Sequence, residues 1–175
     1  MYNKFFIQWA NDVFRQFNYD VNMVLVYDVM VDWYKDVRML TIACMSLSGG
    51  QGKTTTAVLL AKYLAQAGAT VLAIDADPQS NLTTFLESDV APNTPTLLEV
   101  FKGTVAVEDG IYPTKIENLY LIPSDNALDT VQDYLSSSGV GAMLLGKRLE
   151  AVEAVFDICL IDSPPQRSQI CKSVI

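Results

Sequence analysis

The sequence predicts an α/β protein whose sheet is mostly parallel, and three observations carry that expectation. Short apolar runs at 39–45, 70–75, 119–123 and 156–162 alternate with segments of helical periodicity or loop composition. The run at 70–75 is apolar almost throughout rather than alternating, as a strand buried on both faces of a parallel sheet is. The first run stops at a glycine-rich turn, and two later ones deliver Asp75 and Asp162 to their carboxyl ends, where open α/β sheets bind ligands.

Residues 39–56, MLTIACMSLSGGQGKTTT, form the first of these elements. Met39, Leu40, Ile42, Ala43, Cys44 and Met45 read as a strand, and Lys53 with three threonines opens a helix over 54–67. Gly49, Gly50 and Gly52 lack a Cβ, so backbone amides there can turn inward onto phosphate oxygens. The following helix start adds unpaired N–H groups and the positive end of its dipole. Lys53 supplies a mobile charge for β- and γ-phosphates and Thr54 a hydroxyl for Mg²⁺. The bland alternative is a glycine turn before a capped helix. Placement of Gly-Lys-Thr between strand and helix favours the phosphate loop.

Ala57, Leu60, Ala61 and Leu64 give that helix its sheet-facing stripe, and Gly68 ends it. The second strand runs into Asp75-Ala76-Asp77-Pro78-Gln79. Two carboxylates at a strand end suit Mg²⁺ and water, although an Asp-Pro turn also serves to start a helix near Asn81. The middle of the chain is loop-rich, with short helices expected at 81–86 and 97–101 and prolines between them. A brief strand follows at 119–123, then helices at 129–135 and 141–155, separated by a Ser/Gly turn. The last strand, FDICLIDSPP, brings Asp162 to its carboxyl end, and an aspartate buried there without a partner would be costly.

At 175 residues the chain is one domain by size, and with half its residues hydrophobic it is not disordered. Its net charge of −8 argues against a surface adapted as a whole to nucleic acid. The absence of histidine removes imidazole bases, Ser-His triads and His-ligated metals. Cys44, Cys159 and Cys171 form no C-x-x-C pair, and the first two sit in strand-like runs as small hydrophobes. No apolar run has transmembrane length and no secretory signal is legible, so the expected location is the cytoplasm. Residues 1–38 differ from the rest: they lack Gly, Pro, Cys, Ser, Thr and Glu, yet contain Trp9 and Trp33. They read as an aromatic-rich extension outside the domain at 39–175, with one greasy helical face through Phe6, Trp9, Val13 and Phe17.

Ser48-Gly49-Gly50-Gln51-Gly52-Lys53-Thr54 departs from the ordinary phosphate loop, whose first glycine would fall on Leu47. It resembles the deviant loop of the ParA/MinD family, K-G-G-x-G-K-[ST], with Ser48 in place of the first lysine. Asp75-Ala76-Asp77-Pro78-Gln79 and the run ending in Asp162-Ser163-Pro164-Pro165 are similar to the family's second and third motifs. The resemblance covers 39–175 and implies a P-loop NTPase-type three-layer sandwich, incomplete at its C-terminal side because relatives continue for several more elements.

The resemblance also implies ATP and Mg²⁺ as ligands and slow ATP hydrolysis. In that reading Gly49, Gly50, Gln51, Gly52 and Lys53 hold the phosphates, and Thr55 touches the α-phosphate. Thr54 and Asp162 serve the metal, while Lys53 and Asp77 act in catalysis, Asp77 by orienting water. Implied partners are a second copy in an ATP-dependent homodimer, a ParB-like adaptor and nucleoid DNA, whose usual binding surface would lie beyond Ile175; no membrane is expected. The loop is similar to that of the carboxysome-positioning branch, which also lacks the first lysine, with plasmid or chromosome partition as the close alternative. A nucleotide-binding module without hydrolysis and an amide-forming synthetase are the readings from other classes.

Overall fold

The computed structural model describes residues 39–45, 50–86, 91, 93–130 and 144–164. Strand β1 (Leu40–Cys44) leads into helix α1 (Lys53–Gln66), β2 (Val71–Asp75) and the short helix α2 (Asn81–Phe85). Helix α3 (Leu97–Lys102) precedes β3 (Tyr112–Pro113) and β4 (Leu119–Ile122); α4 (Leu144–Leu149) precedes β5 (Ile158–Asp162). The five strands form one sheet in the order β1-β5-β2-β4-β3. All neighbours are parallel except β3, which pairs antiparallel with β4.

Period-two alternation along the strands splits the core into two layers. Val71, Ala73, Ile158 and Leu160 face Ala57, Ala61, Leu64 and Ala65 of α1, with Leu82 of α2. Leu72, Ile74, Cys159 and Ile161 face Leu97 and Phe101 of α3, with Leu145 and Leu149 of α4. Helices thus cover both faces, giving the expected three layers and explaining why β2 and β5 are buried at every position.

Helix α1 carries the stripe foreseen for it, and Gly68 takes the left-handed φ of 93° just past its end. Helix α3 begins with a reciprocal cap. Leu98 N–H donates to the Thr96 hydroxyl at 3.3 Å, while the Thr96 N–H and hydroxyl each donate to Glu99 Oε2 at 2.8 Å. Burial works to raise the Glu99 pKa, but these bonds outweigh it and the carboxyl sits below its ordinary value.

Two expectations need correction. Of the helix expected over 141–155, residues 141–143 lie outside the described residues, Leu144–Leu149 is helical, and turns follow through 155. Of residues 150–155 only Val152 is buried, and even Val155 is exposed, so a continued helix would have little to cover there. Strand β3 went unforeseen because it is two residues long and contains a proline, which is tolerated only at a sheet edge. The extension at 1–38, the Ser/Gly turn at 136–139 and residues 131–135 of the helix expected at 129–135 lie outside the described residues.

Candidate functional site

Sheet register brings three strand ends together. Cys44 of β1 and Asp75 of β2 are the parallel partners of Asp162 on β5, which lies between them. The ladder continues past the ends: Ala76 N–H donates to the Asp162 carbonyl at 2.8 Å, and the Ser163 hydroxyl to the Cys44 carbonyl at 2.7 Å. The loop after β1 and the turn after β2 therefore leave the sheet on opposite sides of β5. Open α/β sheets bind ligands beyond such joined carboxyl ends.

The described part of the glycine-rich loop supports the cradle reading. Gly50 and Gly52 have φ of 72° and 77°, in the left-handed region where a side chain is strained. Gly52 is the N-cap of α1 and accepts from Thr56 N–H at 2.8 Å. Among the described residues no side chain caps this helix, and no acid stands in its first turn, so its first amides suit an external acceptor. Lys53 opens the helix and is buried, Thr54 is half-buried, and Gln51 and Thr55 are exposed. Gly49 and Ser48 lie outside the described residues.

Asp162 is the least satisfied group in the site. Its residue is fully buried, and among the described residues neither carboxylate oxygen has a partner at hydrogen-bonding geometry, the Thr54 hydroxyl acting on it only from nearby. Burial is the main reason its pKa is pushed up to about 7; the Thr54 hydroxyl pulls it down, Asp75 and Asp77 push it up, and Lys53 pulls it down. The cost of such a group falls when a cation arrives. The residues fit Mg²⁺ on that ground. One orphaned carboxylate and a threonine hydroxyl match an ion that takes few protein ligands and completes its shell with phosphates and water. Among the described residues no cluster of three or more His, Cys, Asp or Glu offers an all-protein metal cage instead.

Asp77 lies on the turn after β2, 8% exposed, with Oδ1 accepting from Gln79 N–H at 2.9 Å. Asp75 is fully buried and its pKa is raised to about 6, chiefly by burial, against bonds from Thr83 and Asp77 that lower it. Thr83 and Ser124 enter the same network, the Thr83 hydroxyl donating to Asp75 and accepting from Ser124 N–H, and neither was picked out from sequence. The available signal was a threonine one helical turn after the Asp-Pro turn. Cys44 and Cys159 are free and buried, and burial pushes both thiols up to about 12, which leaves them unreactive. A pocket of about 120 Å³ lies elsewhere, between β1 and α4 against Met39, Thr41 and Leu149, and is too small for a nucleotide.

A protein family described as an AAA domain matches residues 39–175, on the same span as the three motifs. The chain belongs to the ParA family of these domains. Over 137 residues it is 54% identical to the maintenance of carboxysome distribution protein A of Gloeothece citriformis, covering 78% of this chain and 53% of that one. It is 39% identical over 131 residues to the chromosome partitioning protein ParA of Caulobacter vibrioides, covering 74% and 48%. A solved complex of Cyanothece McdA with ATP superposes with a TM-score of 0.75 at 53% identity, covering 79% of this chain and 53% of that one. The chain spans about half the length of the relatives it matches. Among the described residues no helix is long and apolar enough to cross a membrane.

Proposed function

We propose that this ParA-family chain is the nucleotide-binding part of an ATP-driven switch that positions intracellular cargo in the cytoplasm, with carboxysomes the favoured cargo. The observation that carries the reading is the orphaned Asp162 carboxylate, register-paired with β1 and β2 at the mouth of an uncapped helix that begins with Lys53. Identity of 54% to a carboxysome-distribution protein against 39% to a chromosome-partitioning one favours that cargo. A purely structural role for the site leaves both the buried lysine and the unpaired aspartate without a purpose.

In this reading Gly49, Gly50, Gln51 and Gly52 wrap the phosphates with backbone N–H groups, and Lys53 lies along the β- and γ-phosphates. Thr55 meets the α-phosphate. Thr54 and Asp162 hold Mg²⁺, which when bound neutralises charge gathering on the phosphate oxygens. Asp77 accepts from a water and orients its oxygen toward the γ-phosphorus. The bond from that phosphorus to the β-phosphate bridging oxygen breaks, ADP leaves, and the water's oxygen ends on inorganic phosphate. No side chain needs to become covalently attached; placement and fixed charge lower the barrier.

The wider cycle joins two ATP-bound copies, with an adaptor protein stimulating hydrolysis and nucleoid DNA as the surface. Ser48 carries no charge to the partner's phosphates, so another cation serves there; Arg167 and Lys172 are the first candidates and lie outside the described residues. The test is phosphate release and ATP-dependent sedimentation of the parent, Lys53→Ala and Asp77→Ala. The reading expects Lys53→Ala to lose both and Asp77→Ala to bind ATP without releasing phosphate. Phosphate release by Asp77→Ala at the parent's rate would remove the water-orienting role. The non-hydrolysing module is the outcome if the parent binds ATP and releases none.

A further inference from the structure

Asp75 ends β2 beside the site, yet no role above uses it. Its carboxylate is spent on the chain itself. Oδ2 accepts from the Thr83 N–H at 2.8 Å and from the Thr83 hydroxyl at 2.7 Å, and Oδ1 accepts from Asp77 N–H at 3.2 Å. The Thr83 hydroxyl, its proton given to Asp75, accepts from Ser124 N–H at 3.1 Å, two residues past β4. One buried carboxylate therefore gathers the end of β2, helix α2 and the exit from β4.

What lies between its two grips is the turn bearing Asp77. Ser80 N–H donates to the Asp77 carbonyl at 2.9 Å, and Ser80 itself has φ of 50°, a left-handed conformation that a serine holds only when its surroundings impose it. The Asp77 carboxylate is folded back onto Gln79 N–H in the same turn. The Asp-Pro sequence favours the start of this turn, but nothing local favours the left-handed backbone at Ser80 that ends it. The bonds at Asp77 N–H and Thr83 close the segment at both ends, and they fix where the Asp77 carboxylate stands relative to Asp162. None of them touches a described residue of the phosphate loop.

We propose that Asp75 and Thr83 are positioning residues for hydrolysis: they hold the Asp77 turn at the site, so turnover depends on the Thr83 hydroxyl while nucleotide affinity does not. The proposal rests on the hydrolytic reading of Asp77 given above. A role confined to core stability predicts a different pattern, with affinity, turnover and α1 all suffering together.

The test compares the full chain with Thr83→Val, which keeps the shape and removes the hydroxyl, and Thr83→Ser, which restores it. Amide exchange by mass spectrometry reads residues 76–84 against the α1 segment, and phosphate release is followed against ATP concentration. In Thr83→Val the 77–80 amides exchange about tenfold faster or more, α1 is unchanged, kcat falls about tenfold or more and KM stays within about twofold, the size expected for one lost hydrogen bond. Thr83→Ser restores both readouts. Unchanged exchange at 77–80, retained kcat, a joint loss of affinity and α1 protection, or failure of serine to rescue would each overturn the proposal. If the parent releases no Lys53-dependent phosphate, the hydrolytic reading is what fails, and exchange at 77–80 alone decides whether Thr83 holds the turn.

Discussion

Replacing Asp162 with asparagine removes a charge from a place that solvates it poorly. The folded carboxyl has its pKa near 7 and the ordinary value is 3.8, so between those limits the folded state binds more protons than the unfolded chain. Stability must therefore fall as pH rises through that window and reach its floor above 7. A shift of about three units corresponds to at most ~4 kcal/mol at pH 8, at ~1.4 kcal/mol per unit. The shift is shared with neighbouring Asp75, and the buried amide of asparagine would itself cost ~1–3 kcal/mol for its unmade bonds. The expected net result at pH 8 is an Asp162→Asn protein more stable than the parent by ~1–3 kcal/mol, and no more stable at pH 4. Urea unfolding in EDTA at both pH values measures this. With Mg²⁺ and ADP added, the parent gains stability and the variant gains much less, since the ion no longer relieves an orphaned charge. Equal pH slopes for parent and variant, or equal gains from Mg²⁺, would refute the reasoning.

Gly103→Ala is expected to cost ~1–2 kcal/mol in urea unfolding, because Gly103 has φ of 68° after α3 and an added Cβ would overlap the Arg148 guanidinium. Removing residues 1–38 should leave a single cooperative transition with its midpoint changed by less than a few degrees, about the shift that 1 kcal/mol produces. β1 already has β5 as its partner, and the described residues build a core layer on each face of the sheet. Loss of cooperativity on thermal melting would show the extension to be part of the core.

The parts legible in the sequence were those whose signal is local. An apolar run stopping at Gly-rich Lys-Thr announces strand, loop and helix together, and α1 buries Ala57, Ala61 and Leu64 as their spacing requires. Asp162 was legible as a buried carboxylate in need of a partner because its strand is apolar throughout. Strand order was not legible: that β5 inserts between β1 and β2, bringing Asp162 beside Asp75, depends on pairings across 87 or more residues. The link from Asp75 through Thr83 to Ser124 escaped for the same reason, since its last bond spans 41 residues. Helix α4 ends at Leu149 rather than at 155 because periodicity registers apolar spacing but not where a helix runs out of surface to cover.

The central claim, a Mg-nucleotide site at the joined ends of β1, β5 and β2, is tested most directly by calorimetric titration of ADP and ATP into the full chain, with and without Mg²⁺, alongside Lys53→Ala. The account predicts binding by the parent that Mg²⁺ strengthens, and affinity lower by about tenfold or more in Lys53→Ala, where a charge-assisted contact to phosphate is lost. Equal affinity of parent and Lys53→Ala, or binding indifferent to Mg²⁺, would contradict it.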